Sequence, residues 1–239
     1  MNWATEFFSG RTAMVIGGTS GIGLAIAMAF AEAGARVVAT GAIDAEVAAA
    51  SAAGITFSRL DVRDVAAVSG FAAQFDEVAA LVNCAGVNLR ASEFKQASFE
   101  TVLDINLTGA MRVASAFRPL LRGGAIVHLA SMFSTFGAAY APAYTASKTG
   151  LVGLTRSLAH AFAADNIRVN ALAPGWIETP MTETPRANPV RNAEILARIP
   201  TGRWGKPGEV APAALFLCSP LAAYITGAVL PVDGGYLVA

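Results

Sequence analysis

The stretch Thr12-Ala13-Met14-Val15-Ile16-Gly17-Gly18-Thr19-Ser20-Gly21-Ile22-Gly23 decides the architecture. Its first five residues carry no charge and have the length of a buried strand, not of a helix. A glycine cluster then turns the chain, and Ile22 opens an apolar stretch that reaches Ala33 at helical length. Strand, glycine turn and helix in that order can cradle a phosphate. Glycines let the backbone come close, and the first helix amides supply donors and a positive dipole end. Gly17, Thr19, Ser20, Gly21, Ile22 and Gly23 would build that cradle. A merely tight strand-to-helix turn needs the same glycines, so the rest of the chain must arbitrate.

The same rhythm continues outward. Short apolar runs at Thr12–Ile16, Arg36–Thr40, Ile55–Leu60, Ala79–Asn83, Ala125–Ala130, Arg168–Leu172 and Ala228–Val232 read as strands. Helical stretches lie between them at Ile22–Ala33, Asp44–Ala53, Val65–Phe75, Phe99–Leu121, Ala143–Ala164 and Pro207–Cys218. Strand hydrophobicity is continuous instead of alternating, which implies burial on both faces and a parallel sheet. Repeated βα units predict a single α/β domain over residues 1–239, a doubly wound Rossmann sheet with ligands at the carboxyl ends of its strands. Pro174 to Trp204 breaks the rhythm with five prolines. It reads as an excursion above the sheet, with a substrate lid at 180–200; a plain surface loop is the alternative.

Composition narrows the function classes. Of 239 residues, 54% are hydrophobic and 14% charged, as a large doubly covered core requires. Lys+Arg and Asp+Glu both total 17, which argues against nucleic acid or an anionic membrane surface as partner. Cys84 and Cys218 form no ligand cluster, so no metal site is expected, and a reducing cytoplasm is the simple reading. Residues 13–31 are uncharged, but four glycines interrupt them, so a membrane span is not expected.

A second constellation carries chemistry. Tyr144 and Lys148 stand four apart, with Ser131 thirteen residues before the tyrosine. Free tyrosine ionises near pKa ~10, too high for a base at neutral pH. An ammonium on the same helix face favours phenolate, so Lys148 is expected to lower the Tyr144 pKa. Ser131, closing a strand, would orient a substrate oxygen. Tyr140 has no lysine four residues on and reads as pocket wall or packing. His128, inside a strand, reads as a core histidine, His160 as surface or a subunit contact, and Cys84 as a small core residue.

These motifs resemble the short-chain dehydrogenase/reductase family along the whole chain. The glycines follow its G-x-x-x-G-x-G spacing, with Ile16 where threonine is usual. Asn83-Cys84-Ala85-Gly86 is similar to its Asn-Asn-Ala-Gly motif, and Asn170 with Pro174-Gly175 and Asp233-Gly234-Gly235 match later signatures. The resemblance implies the strand order 3-2-1-4-5-6-7 and a nicotinamide-dependent oxidoreductase acting on a secondary alcohol or ketone. It implies that Asn106, Ser131, Tyr144 and Lys148 are catalytic, with Asn106 holding a proton-relaying water. Asp61 and Val62 would contact adenine, Lys148 the nicotinamide ribose, and Ile177 and Thr179 the carboxamide or pyrophosphate. Thr40, Asn83, Ala85, Gly86, Tyr144, Pro174 and Gly175 complete the expected cofactor set. A homotetramer through the helices Phe99–Leu121 and Ala143–Ala164 is also implied.

Cofactor and substrate are less legible. Neither an acid closing the second strand nor an arginine near Gly21 is present. A dianionic phosphate would lack a partner there, which favours NAD over NADP without excluding the latter. Asp44 reads as the cap of the next helix. Arg90, Ser131, Phe133 and Trp176 are the candidate substrate contacts. Arg186, Arg191 and Arg198 near the lid could clamp a carboxylate or be plain solvated charges. Several stretches look like bacterial sugar-acid members of the family, among them Gly202-Arg203-Trp204-Gly205. An NADP-dependent carbonyl or 3-oxoacyl reductase and a non-catalytic dinucleotide sensor are the competing readings.

Overall fold

The computed structural model describes residues 3–239. Seven parallel strands form one sheet in the order β3-β2-β1-β4-β5-β6-β7. They are β1 Thr12–Ile16, β2 Arg36–Gly41, β3 Ile55–Arg59, β4 Ala80–Asn83, β5 Ala125–Leu129, β6 Arg168–Pro174 and β7 Val229–Val232. The helices are α1 Trp3–Phe8, α2 Gly21–Glu32, α3 Asp44–Ala49, α4 Val65–Ala72 and α5 Gln96–Leu103. They continue with α6 Gly109–Phe117, α7 Pro142–Ala161, α8 Glu183–Ala187, α9 Pro189–Leu196 and α10 Pro207–Cys218.

Successive strand residues point to opposite faces, and here both faces are covered. On β1, Ala13 and Val15 join the core under α1, α2 and α10, where Phe8 meets Phe30 edge-on at 4.9 Å. Met14 and Ile16 join the core under α4, α6 and α7, with Phe71, Phe117 and Leu158. That arrangement is why the strands read as unbroken hydrophobic runs.

Four elements differ from the sequence reading. The stretch Phe99–Leu121 is not one helix: α5 and α6 are joined by a π turn, Asp104–Thr108, closed when Gly109 N–H donates to Asp104 O. Val62 forces the close approach there, because a Cβ on Gly109 would lie 2.6 Å from Val62 Cγ2. The π turn carries buried Asn106, as such bulges often carry functional side chains. Second, Asp44 is the first residue of α3 and not its cap; Ile43 holds that position, and Asp44 pairs with Arg59 at 3.6 Å. Third, α1 escaped notice because six residues show no helical period. Fourth, most of the stretch 180–200 is helical: a short turn Pro180–Thr182 leads into α8 and α9, and the last residues are not. Pro180 and Pro189 occupy first-turn positions, where a missing N–H costs nothing, and Asn188 caps α9 by accepting from Arg191 N–H at 3.0 Å.

Candidate active site

All seven strands end on the same side of the sheet, and the crevice above those ends holds the expected cofactor residues. Gly17 has φ +77°, and a Cβ there would stand 2.6 Å from Ala85 N. No other residue type fits this contact between the turn after β1 and the turn after β4. Above it runs a crevice of about 440 Å³. It is lined by Gly17, Thr19 to Gly23, Asp61, Val62, Ala85, Gly86, Tyr144, Lys148, Pro174, Gly175, Ile177 and Thr179. Backbone amides at the start of α2 and a floor stripped of side chains suit a dinucleotide's phosphates.

Two expected members lie below the crevice instead. Thr40 is 1% exposed and its hydroxyl finds no partner; the chain presents Gly41, Ala42, Ile43 and Glu46 in its place. Thr40 lies within β2, whereas Ala42, Ile43 and Glu46 follow the strand's end and so reach the crevice. Asn83 is likewise buried, its Nδ2 3.5 Å from Ala110 O and 3.5 Å from His128 Nδ1. It braces β4 against α6. His128 itself is fully buried in β5, and burial pulls its pKa down to about 3, so it stays neutral.

At the crevice end made by β2 and β3, the cations are already engaged. Arg63 grips both oxygens of Asp61 at 2.6–3.1 Å and holds that carboxyl below its ordinary range. Arg59 donates to Ala42 O at 3.3 Å and pairs with Asp44.

The other end brings Ser131, Tyr144 and Lys148 together. Ser131 follows β5 and caps the turn Met132–Ser134, accepting from Phe133 N–H at 3.2 Å. Tyr144 and Lys148 sit one turn apart on α7, with Lys148 Nζ 5.6 Å from the centre of the tyrosine ring. The amine donates to Leu129 O at 2.6 Å, and burial lowers its pKa to about 8. The expectation of a more acidic tyrosine is not met. Burial pushes the Tyr144 phenol up to about 12; the bond to Ser131 pulls it down, while Tyr140 and Glu93 push it further up. Loss of water around the phenol outweighs its polar neighbours.

Asn106 is committed to the protein. Its Oδ1 accepts from Val87 N–H at 2.8 Å, and its Nδ2 donates to Val87 O and Ser147 Oγ, both at 3.0 Å. It thereby ties α7 to the strap after β4. A Cβ on Gly86 would press on Asn106 Oδ1 and Lys148 Nζ, each at 3.3 Å, so this glycine lets strap and amine meet. Cys84 lines the crevice, but burial pushes its thiol up to about 12 and keeps it from acting as a nucleophile.

A second cavity of about 280 Å³ opens beside the first, and Ser131 and Tyr144 line both. Arg90, Phe133 and Trp176 line it too, as does Tyr140. Of the three arginines near 180–200, Arg191 reaches this cavity. Arg186 pairs with Glu178 at 3.7 Å, and Arg198 stacks over Tyr236 at 4.5 Å. Arg90 has φ +53°, a left-handed conformation that a bulky residue rarely adopts. Asn88 Oδ1 holds it by accepting Arg90 N–H at 2.9 Å, and its guanidinium spans to Met181 O at 3.0 Å.

Sequence reasoning missed Glu93. Its carboxylate is 1% exposed and accepts the N–H groups of Leu89 and Tyr144, both at 2.9 Å. Nothing local marks it, since its partner on α7 lies 51 residues away.

Known proteins share this chain's pattern over nearly its full length. A family model described as enoyl-(acyl carrier protein) reductase matches residues 16–237. A galactitol 2-dehydrogenase (L-tagatose-forming) from Cereibacter sphaeroides is 43% identical over 100% of both chains. A 2-dehydro-3-deoxy-D-gluconate 5-dehydrogenase from Dickeya dadantii is 37% identical over 95% of this chain and 96% of its own. A solved structure from Agrobacterium tumefaciens, described as a candidate 2-deoxy-D-gluconate 3-dehydrogenase with bound NADP, superposes with a TM-score of 0.88. It is 40% identical and covers 100% of both chains. No helix among the described residues is long and apolar enough to cross a membrane.

Proposed function

The chain belongs to the short-chain dehydrogenase/reductase family, and from that premise we propose that it moves a hydride between NAD(H) and a secondary alcohol or ketone of the sugar or sugar-acid class. Membership makes it an NAD(P)-dependent oxidoreductase acting on CH–OH or C=O groups. The observation that carries the finer reading is the junction at Ser131 and Tyr144, where a dinucleotide-shaped crevice meets a separate cavity.

The bound dinucleotide supplies the hydride acceptor or donor. In this reading Ser131 holds the substrate oxygen, and Tyr144 gives or takes that oxygen's proton. Lys148, 2.6 Å from Leu129 O, keeps a positive charge beside the phenol and steadies the ribose side of the crevice. Asn106 fixes the strap over the site. With its phenol pushed up to about 12, Tyr144 is protonated at neutral pH, the state from which it would give a proton to a ketone oxygen. Acting as a base toward an alcohol requires added positive charge nearby, which an oxidised nicotinamide carries.

The preference for NAD rests on the β2–β3 end of the crevice. Arg59 and Arg63 are each paired with a carboxylate there, and Glu46 lines the wall. An extra phosphate would meet an acid and no free cation. For the substrate, Arg90 and Arg191 with Asn88, Asn188 and Thr184 give the cavity polar groups, and Phe133 and Trp176 give it apolar ones. Hydroxyls and a carboxylate suit the first set, a carbon chain the second. Residues 180–200 would close this cavity as a lid, tethered by Arg90 to Met181. Phe94 and Met111, apolar and exposed, support assembly with further copies of the chain.

NADH consumption against a panel of sugar-derived ketones and keto acids tests the reading. Turnover is expected with NADH above NADPH. Tyr144→Phe should abolish it, by a factor of roughly 10² or more, while NADH binding stays within about twofold. A Tyr144→Phe enzyme that still turns over removes the tyrosine from the mechanism. A parent that prefers NADPH overturns the cofactor assignment.

A further inference from the structure

The hydrogen bonds that hold the backbone of Tyr144 lead to a carboxylate that takes no part in the chemistry. Helix α7 begins without a side-chain cap: Ala141 cannot supply one, and Pro142 has no N–H. Its exposed donors therefore fall to the next residues, and Tyr144 N–H is satisfied by Glu93 Oε2 at 2.9 Å. The other oxygen, Oε1, accepts Leu89 N–H at 2.9 Å. Leu89 stands between Asn88 and Arg90, which line the substrate cavity.

We propose that Glu93 is a positioning residue: one carboxylate grips the backbone of Tyr144 and the cavity strap at once, and so fixes the phenol against the substrate. Three observations carry this. First, Glu93 is 1% exposed and pairs with no cation among the described residues, an expensive arrangement unless two N–H bonds and the positive end of a twenty-residue helix repay it. Second, both oxygens accept, which an amide cannot reproduce, since one of its ends donates. Third, the grip is completed from the far side, where Ser147 Oγ donates to Tyr144 O at 2.8 Å. Tyr144 is thus held at both its nitrogen and its carbonyl, by groups from different parts of the chain.

The carboxylate's charge also acts on the phenol, opposing its ionisation. The polar groups facing Tyr144 are Glu93 from the turn Arg90–Phe94, Tyr140 ahead of α7, Ser131 after β5 and Lys148 on α7 itself. Arg90 and Arg191 line the same cavity as Tyr144. Removing the Glu93 charge lifts that opposition, and wherever Ser131 keeps its bond to the phenol, phenolate forms at lower pH. The acid limb of alcohol oxidation, which needs phenolate, must then move to lower pH.

The inference rests on Tyr144 as the proton-transfer residue, so Tyr144→Phe is measured alongside. Glu93→Gln keeps the shape, loses the charge and sets an NH2 against one of the two amides. The expected result is a kcat lower by roughly tenfold or more with NADH affinity unchanged. The acid limb of kcat/KM should shift to lower pH. An acid limb at its parental position overturns the inference whatever happens to kcat. If Glu93→Gln does not fold, the same profile is read with Ala141→Ser added, which gives α7 a local cap. Hydrogen exchange on the unaltered protein is an independent arm: a Tyr144 amide exchanging as freely as one in an open loop also overturns it. Should Tyr144→Phe stay active, the functional reading fails; should it be dead while the Glu93→Gln limb stays put, only the present inference fails.

Discussion

The Lys148 ammonium is 4% exposed, and its hydrogen bond goes to a neutral carbonyl, Leu129 O, and not to a carboxylate. Burial therefore works against its charge, lowering the pKa from 10.5 to about 8. The native state releases this proton near pH 8, the unfolded chain near 10.5. Below pH 8 the stability cost is felt in full, and it is relieved as pH climbs from 8 towards 10.5. Lys148→Met, measured without cofactor, should therefore melt above the parent at pH 7, with the gap closing towards pH 10.5. The same variant should lose turnover. A lower melting temperature at pH 7 would show that the ammonium stabilises the fold instead. Arg90 tells a related story in the backbone. Its left-handed φ costs about 1 kcal/mol or more, and the Asn88 bond and the span to Met181 hold it there.

Elements whose signal is local were legible before any coordinates. The strand-turn-helix of β1 and α2 shows in twelve consecutive residues, and the Tyr144–Lys148 spacing is one helical turn. What stayed hidden depends on contacts distant in sequence. The end of the π turn meets Val62, from a segment well upstream, and the Glu93 grip joins two segments 51 residues apart. Thr40 does not line the crevice, because it lies inside β2 and the chain reaches the crevice only where the strand ends. The Tyr144 acidity was misjudged because spacing reports the lysine but not the burial. Helix α3 offers a test at this scale. Asp44 neutralises Arg59 in an exposed pair that adds little to stability. Asp44→Ala should leave the melting temperature nearly unchanged and raise kcat/KM with NADPH severalfold, as Arg59 becomes free to meet a phosphate. Equal NADPH use before and after would place Arg59 out of reach.

For the molecule as a whole, two buried layers cover one sheet, and the middle strands β4 and β5 are buried along their whole length. Ile126 on β5 is fully buried among Leu81, Phe117 and Val169. Ile126→Ala should cost about 2–5 kcal/mol, read as a lower urea midpoint, while the folded fraction still binds NADH. A loss below about 1 kcal/mol would mean that the layer relaxes to fill the gap. The strand order has a consequence for how such a chain is made. Reading β3-β2-β1-β4-β5-β6-β7 in order of synthesis, β2 and then β3 add on one side of β1, and β4 to β7 add in turn on the other. No strand ever has to wedge between two that are already joined. A nascent chain leaving the ribosome finds an open edge waiting at each step, so growth of the sheet can keep pace with translation.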